Sequence, residues 1–129
     1  MSPEAAEHVE KARQCLSRAR TIYGAEVPDV AAREAYLAAF HAAQALIAER
    51  SGRNAKTHKG VHVQFARLTK DDARIDQELR QFLPKAYDMK SIADYGVEPE
   101  IEVSFEQAEA AIETAARFVD CVATVLASR

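Results

Sequence analysis

The chain has 129 residues, 48 % hydrophobic and 29 % charged, with four Gly and four Pro. That ordinary globular balance predicts one domain over 1–129, large enough to bury about two-thirds of the surface its unfolded chain exposes and too short for a second core. The N-terminus lacks a basic region followed by an apolar core, and no uninterrupted apolar run approaches the roughly 20 residues of a membrane span, so a cytoplasmic protein with no membrane role is expected.

Five helical segments can be read in chain order. Ser2-Pro3-Glu4 suits a helix start, with Ser2 as N-cap and Pro3 at the first helical position. This helix should run to about Tyr23, burying Val9, Ala12, Leu16, Ala19 and Tyr23, and stop at Gly24. After a turn with Pro28, Asp29 is the predicted N-cap of a second helix reaching about Arg50, with Ser51-Gly52 as its stop. Thr57 can cap a third, in which His58, Val61, Phe65 and Leu68 share a line, so His58 should point inward or into an interface.

Thr69 or Asp71 is expected to open a fourth segment through Ile75, Leu79, Phe82 and Tyr87, with a kink or short break at Pro84. Ser104 followed by Gln107 is a capping box before a seven-residue repeat from Phe105 to Leu126. No strand alternation or hairpin signature appears. The fold class is therefore all-α, an up-and-down antiparallel bundle of four to five helices. Alanine fills much of the inner face of the second and last helices, which permits close approach but buries little area per residue, so a homodimer is expected to cover what remains. Cys15 and Cys121 fit no metal or redox spacing and read as small apolar fillers.

The charge is unevenly spread. Between Arg50 and Lys70 lie six Lys or Arg, two His and no Asp or Glu, in a chain whose net charge is −3. Such a segment attracts an anion, most plausibly a phosphate. Within it stands Arg53-Asn54-Ala55-Lys56-Thr57-His58. A guanidinium can clamp a phosphate bidentately, and an imidazole that titrates near neutrality can move the proton of an RNA 2′-hydroxyl, so Arg53 and His58 could cleave RNA without a metal. From spacing alone, a solvated basic loop in which His58 merely starts a helix is the stronger reading.

His58 and His62 are one helical turn apart, but Lys59 lies between them and no Cys, Asp or Glu adjoins, so neither metal nor cofactor is expected. Tyr36 and His41 could hydrogen-bond in a polar pocket, but an aromatic stripe at this spacing is more often core. Lys90 and Asp94, beside Tyr87 and Tyr95, form an exposed ion pair or else turn toward the basic segment, where Asp94 would orient His58 or pair with Arg53. No Gly-rich phosphate loop and no Gly-x-Ser-x-Gly elbow is present.

Taken together, Ala35-Tyr36-Leu37-Ala38-Ala39-Phe40-His41, Lys56-Thr57-His58-Lys59-Gly60-Val61, Ala93-Asp94-Tyr95-Gly96 and Ala116-Arg117-Phe118-Val119 resemble the HEPN domain family, in order and spacing, over about residues 5 to 127. The resemblance implies a helical bundle, usually dimeric, with a groove at the dimer interface. Catalytic members are metal-independent ribonucleases with an Arg, a polar residue, a few spacers and a His, a pattern that Arg53-Asn54 and His58 satisfy. Many small members are paired with a minimal nucleotidyltransferase that neutralises them. Two positions depart: Gly60 stands where many catalytic members have a modifiable tyrosine, and Lys90 where relatives carry arginine, which keeps the charge but loses the planar fork.

The resemblance thus implies a toxin-type protein acting on RNA, with His58 as general acid or base, Arg53, Lys56, Lys59 and Lys90 around the phosphate, Tyr36 and His41 in its pocket, and Asp94 orienting. The alternative is a non-catalytic module that binds RNA or a nucleotide, or docks a nucleotidyltransferase. A third reading is a helical scaffold without a ligand.

Overall fold

In a computed structural model, which describes residues 1–96 and 102–128, five helices follow one another: α1 (Pro3–Gly24), α2 (Pro28–Ser51), α3 (His58–Thr69), α4 (Gln77–Tyr95) and α5 (Phe105–Ala127). No strand occurs among the described residues. The predicted all-α bundle is the fold found.

Helix α2 is the centre, packed against each of the other four. Helices α1 and α4 run against it: Ser2 N–H donates to Glu49 at 2.8 Å, which sets the start of α1 beside the end of α2, and Arg33 Nε donates to Asp94 at 2.7 Å, which sets the end of α4 beside the start of α2. Tyr23 at the end of α1 meets Phe105 at the start of α5, and Arg117 of α5 reaches Glu78 of α4, so these pairs are antiparallel too. The centre of α2 reads as it must in that position, with Ala35, Tyr36, Ala38, Ala39, Ala42 and Ala43 all without solvent exposure. Small side chains on several faces of one helix let several partners approach at once.

The caps explain most boundaries. Ser2 accepts from Ala5 N–H, Thr57 from Gly60 N–H and Ser104 from Gln107 N–H, the last in a complete capping box. Gly52 ends α2 with φ +69°, a left-handed conformation that glycine adopts without penalty.

Three boundary expectations differ from the structure. Helix α2 begins at Pro28 behind Val27, without a side-chain cap, and Asp29 lies inside its first turn. Proline there loses no hydrogen bond, and the acid suits the positive end of the helix dipole, so no cap at Asp29 is needed. Helix α4 opens at Asp76, not at Thr69 or Asp71. Asp72 binds the backbone N–H and guanidinium of Arg74, and Thr69 returns its hydroxyl to Phe65 C=O, so local side-chain bonds hold 70–76 in turns. Helix α4 then continues through Pro84 without a break, the ring lying on its exposed side.

Both cysteines are free. No described helix is long and apolar enough to cross a membrane.

Candidate functional site

Thr57 caps α3 so that His58 is its first residue, and one turn later His62 follows on the same face. Both face the middle of α2. Nδ1 of His58 lies 2.7 Å from the Tyr36 hydroxyl and Nε2 of His62 lies 2.8 Å from it. The Tyr36 ring is wholly buried, so it belongs to the core while its oxygen belongs to the site. Aromatic walls close around the two imidazoles: Phe40 is 4.7 Å from His58 between ring centroids, and Tyr87 is 5.0 Å from His58 and 5.6 Å from His62.

The charges come from α4 and α2. Asp94 accepts from Arg33 Nε at 2.7 Å and from Lys90 Nζ, and Lys90 lies 5.8 Å from the Tyr87 ring centroid and 5.9 Å from that of Tyr95. The Lys90–Asp94 pair expected from spacing forms. The cation that joins Asp94 from another helix is Arg33, not Arg53, and no hydrogen bond links Asp94 to His58 directly.

Burial holds both imidazoles below their ordinary pKa. For His58, Lys90 adds to the lowering and Asp94 opposes it; for His62, the neighbouring His58 adds to it. Burial also raises the Tyr36 hydroxyl, with Tyr87 adding to the shift. At neutral pH the site therefore holds two neutral imidazoles and a neutral phenol. Neutral imidazole at the start of a helix is also what the dipole favours, since the positive end opposes a cation there.

The N-terminus of α3 offers more than His58. Thr57 takes the Gly60 N–H at 3.0 Å, and its C=O receives the Val61 N–H, so the N–H groups of His58 and Lys59 have no protein acceptor among the described residues. A Cβ at Gly60 would come within 2.7 Å of the Thr57 hydroxyl, so a larger residue there would shift that hydroxyl.

The sequence-predicted residues divide into two groups. Tyr36, His58, Lys90 and Asp94 come together as described. The rest lie elsewhere on the chain. Arg53 is exposed in the α2–α3 connection, and its described hydrogen bond is from backbone N–H to Ser51 Oγ. Lys56 lines a cleft of about 300 Å³ with Glu7, His8, Lys11, Gln44 and Asn54. His41 belongs to that side: it bonds Gln44, whose amide donates to Ala55 C=O, and it does not meet Tyr36. Lys59 is exposed on the outer side of α3, near Val63, which is 54 % exposed. Arg53, Lys56 and Lys59 take part in no ion pair among the described residues.

Sequence reasoning did not join His62, Tyr87 and Arg33 to this site. His62 was weighed only as a metal ligand, yet both histidines aim at the Tyr36 hydroxyl. Among the described residues no three His, Cys, Asp or Glu side chains converge on one point. The signal for His62 was its one-turn offset from His58; for Arg33 it was its place one turn before Tyr36 on α2.

Comparison with known proteins gives two results. The family model described as "HEPN domain" matches residues 5–125. Among curated relatives, the chain is 32 % identical over 101 residues to the protein named "Putative toxin MJ0142" of Methanocaldococcus jannaschii, covering 78 % of this chain and 67 % of that one. It is 30 % identical over 118 residues to "Putative toxin MJ0605" of the same organism, covering 92 % and 85 %.

Proposed function

Because the chain belongs to the HEPN domain family, we propose that it is a toxin that cleaves RNA without a metal, with His58 as the group that moves the proton. The observation that carries this reading is the pair of neutral, half-buried imidazoles hydrogen-bonded to one buried tyrosine at the N-terminus of α3, beside Lys90. The toxin names of both relatives support it. A neutral imidazole accepts a proton near neutrality, and a helix N-terminus with two unpaired N–H groups favours a phosphate. In the proposed reaction Nε2 of His58 takes the 2′-hydroxyl proton, O2′ bonds to phosphorus, and the 5′-oxygen leaves. A 2′,3′-cyclic phosphate remains.

Lys90 is assigned to the phosphate beside His58, and Lys59, on the outer side of α3, to the RNA backbone beyond it. Arg53 is assigned to the same phosphate from a second protomer, since it lies apart from His58 within its own chain. The homodimer is proposed on the outer face of α3, where Val63 is exposed beside Lys59. Lys56 and His41 are assigned to longer RNA along the neighbouring cleft.

The test is growth after inducible expression of wild type beside His58→Ala, with total RNA mapped for new ends. Arrest and cyclic-phosphate ends with wild type alone, persisting in chelator, are expected. Full activity in folded His58→Ala overturns the assignment.

One observation favours a second reading. Arg53 is an exposed loop residue whose described bond is made by its backbone, as it would be in a module that docks a nucleotidyltransferase or binds RNA or a nucleotide without cutting it. Intact RNA together with co-purification of a nucleotidyltransferase would decide for that module.

A further inference from the structure

Tyr36 has one hydroxyl hydrogen and two histidine nitrogens within hydrogen-bond distance, Nδ1 of His58 and Nε2 of His62. The hydroxyl gives its hydrogen to one ring, and its oxygen accepts from the other. Because Tyr36 is wholly buried, a hydrogen left without an acceptor there is strongly disfavoured. Two arrangements remain. In the first, His58 donates Nδ1–H to the oxygen and Tyr36 donates to Nε2 of His62, so both rings carry their hydrogen on Nδ1. In the second, Tyr36 donates to Nδ1 of His58 and His62 donates Nε2–H, so both carry it on Nε2. If the rings held opposite tautomers, either two N–H groups would confront the oxygen or two bare nitrogens would compete for one hydrogen.

We infer that Tyr36 couples His58 and His62 into one proton relay, in which the two rings hold the same tautomer and the first positive charge they share opposes a second. A second charge would require both rings to donate to the Tyr36 oxygen, leaving the phenolic hydrogen with no acceptor among these three side chains. The surroundings act in the same direction. Lys90 of α4 opposes a charge on His58, and His58 opposes one on His62, while Asp94 of α4, itself shared with Arg33 of α2, is the opposing carboxylate. Tyr87 of α4 packs against both rings, tilted by 43° to His58 and edge-to-face at 82° to His62.

The coupling follows from the three side chains alone, but its use rests on His58 being the ribonuclease base. Starting from the first arrangement, Nε2 of His58 takes the 2′-hydroxyl proton as O2′ bonds to phosphorus. The P–O5′ bond breaks, and the leaving oxygen takes a proton from solvent. Nδ1 of His58 then passes its hydrogen to the Tyr36 oxygen, Tyr36 passes its own to Nε2 of His62, and His62 releases the Nδ1 hydrogen to water. The trio is left in the second arrangement, with no net charge. Loss of the Nε2 hydrogen from His58 and capture of one at Nδ1 of His62 reset it. Tyr36 and His62 are thus positioning residues, since they act on substrate only through His58.

The test is long-range ¹H–¹⁵N correlation on the ¹⁵N-labelled full chain across a pH titration. Expected are one shared tautomer for His58 and His62 and two protonation stages separated by more than about one pH unit. Tyr36→Phe keeps the buried ring and removes the hydroxyl; the two stages should then draw together. His62→Phe should leave His58 as the Nε2–H tautomer, because the Tyr36 hydrogen then has only Nδ1 of His58 to bind. Opposite tautomers in the wild type overturn the relay, a result that needs no variant to fold. Coupled tautomers without RNA cleavage would sink the ribonuclease reading and leave the relay standing. Cleavage whose rate and pH profile are unchanged in Tyr36→Phe would do the reverse.

Discussion

The α1–α2–α5 half of the bundle and the α2–α3–α4 side are built from different materials. In the first, Ala5, Ala12 and Ala19 of α1 recur every seven residues, and all three are without solvent exposure, as are the alanines through the middle of α2. Small side chains bring backbones close and have few rotamers to lose, so the α1–α2 contact forms at little side-chain entropy cost. On the other side, α3 has 12 residues and lies on α2 and α4, reaching α5 through the ring of Phe65. Its inward face carries two histidines on a tyrosine hydroxyl. One half supplies a fixed platform; the other holds titratable groups against it. The lesson is that Tyr36 can serve both because α2 is braced by alanine on its remaining faces.

The largest expected effect is at the ring that joins the two regions. Phe118 of α5 is 1 % exposed, with its ring 4.9 Å from Phe65 of α3 and 6.3 Å from Phe82 of α4 between centroids. Phe118→Ala should remove about 3–5 kcal/mol of stability, read from the urea midpoint. Amide exchange in α3 and α4 should rise before that in α1 and α2; uniform loss of protection would mean the two regions are one cooperative unit.

A smaller effect separates the two packings directly. Ala39→Leu pushes a larger side chain into the tight centre of α2 and should cost about 1–3 kcal/mol. Val63→Ala, on the outer side of α3 with 54 % exposure, should change stability by no more than about 0.5 kcal/mol in a monomer. Measured by urea unfolding at several protein concentrations, a cost at Val63 as large as that at Ala39 would locate a dimer contact there.

How much of this was legible depended on the range of the interaction. Thr57, Ser104 and Gly52 were readable because caps are settled within four residues. Asp76 was missed because the competing turn, made by Asp72 with Arg74, offers no apolar period to mark it. The helical line through His58, Val61 and Phe65 placed His58 inward, but its partner lies 22 residues away and the partner of His62 lies 26 away. Sequence spacing reaches one or two turns along a helix and says nothing of which hydroxyl a neighbouring helix presents. Arg53 illustrates the converse. Its five-residue offset from His58 reads as a pair, yet the stretch between them is a connection, not a helix, so helical spacing does not apply.

The smallest effect is a pH dependence, and it tests which region acid attacks first. Burial is the leading cause that holds all four histidines below their ordinary value of 6.5: His8 and His41 beside the α1–α2 cleft, His58 and His62 at the site. A histidine whose pKa is lower when folded binds a proton more readily when the chain unfolds. Stability is therefore full above about pH 6.5 and falls as the pH drops through the folded values. The lowered carboxyls of Asp94 and Glu49 act in a separate window, below the ordinary carboxylate range. Thermal unfolding should thus show a falling midpoint between about pH 7 and pH 5 before any carboxylate contributes. Replacing His8 and His41 together by Gln, and separately His58 and His62, divides that loss between the regions. If the shared hydroxyl makes the first charge at the site oppose a second, the site pair should account for a steeper share, and acid should raise amide exchange in α3 ahead of α1. A profile flattened equally by either double variant would mean that burial alone, without the Tyr36 contact, sets the acid sensitivity of all four.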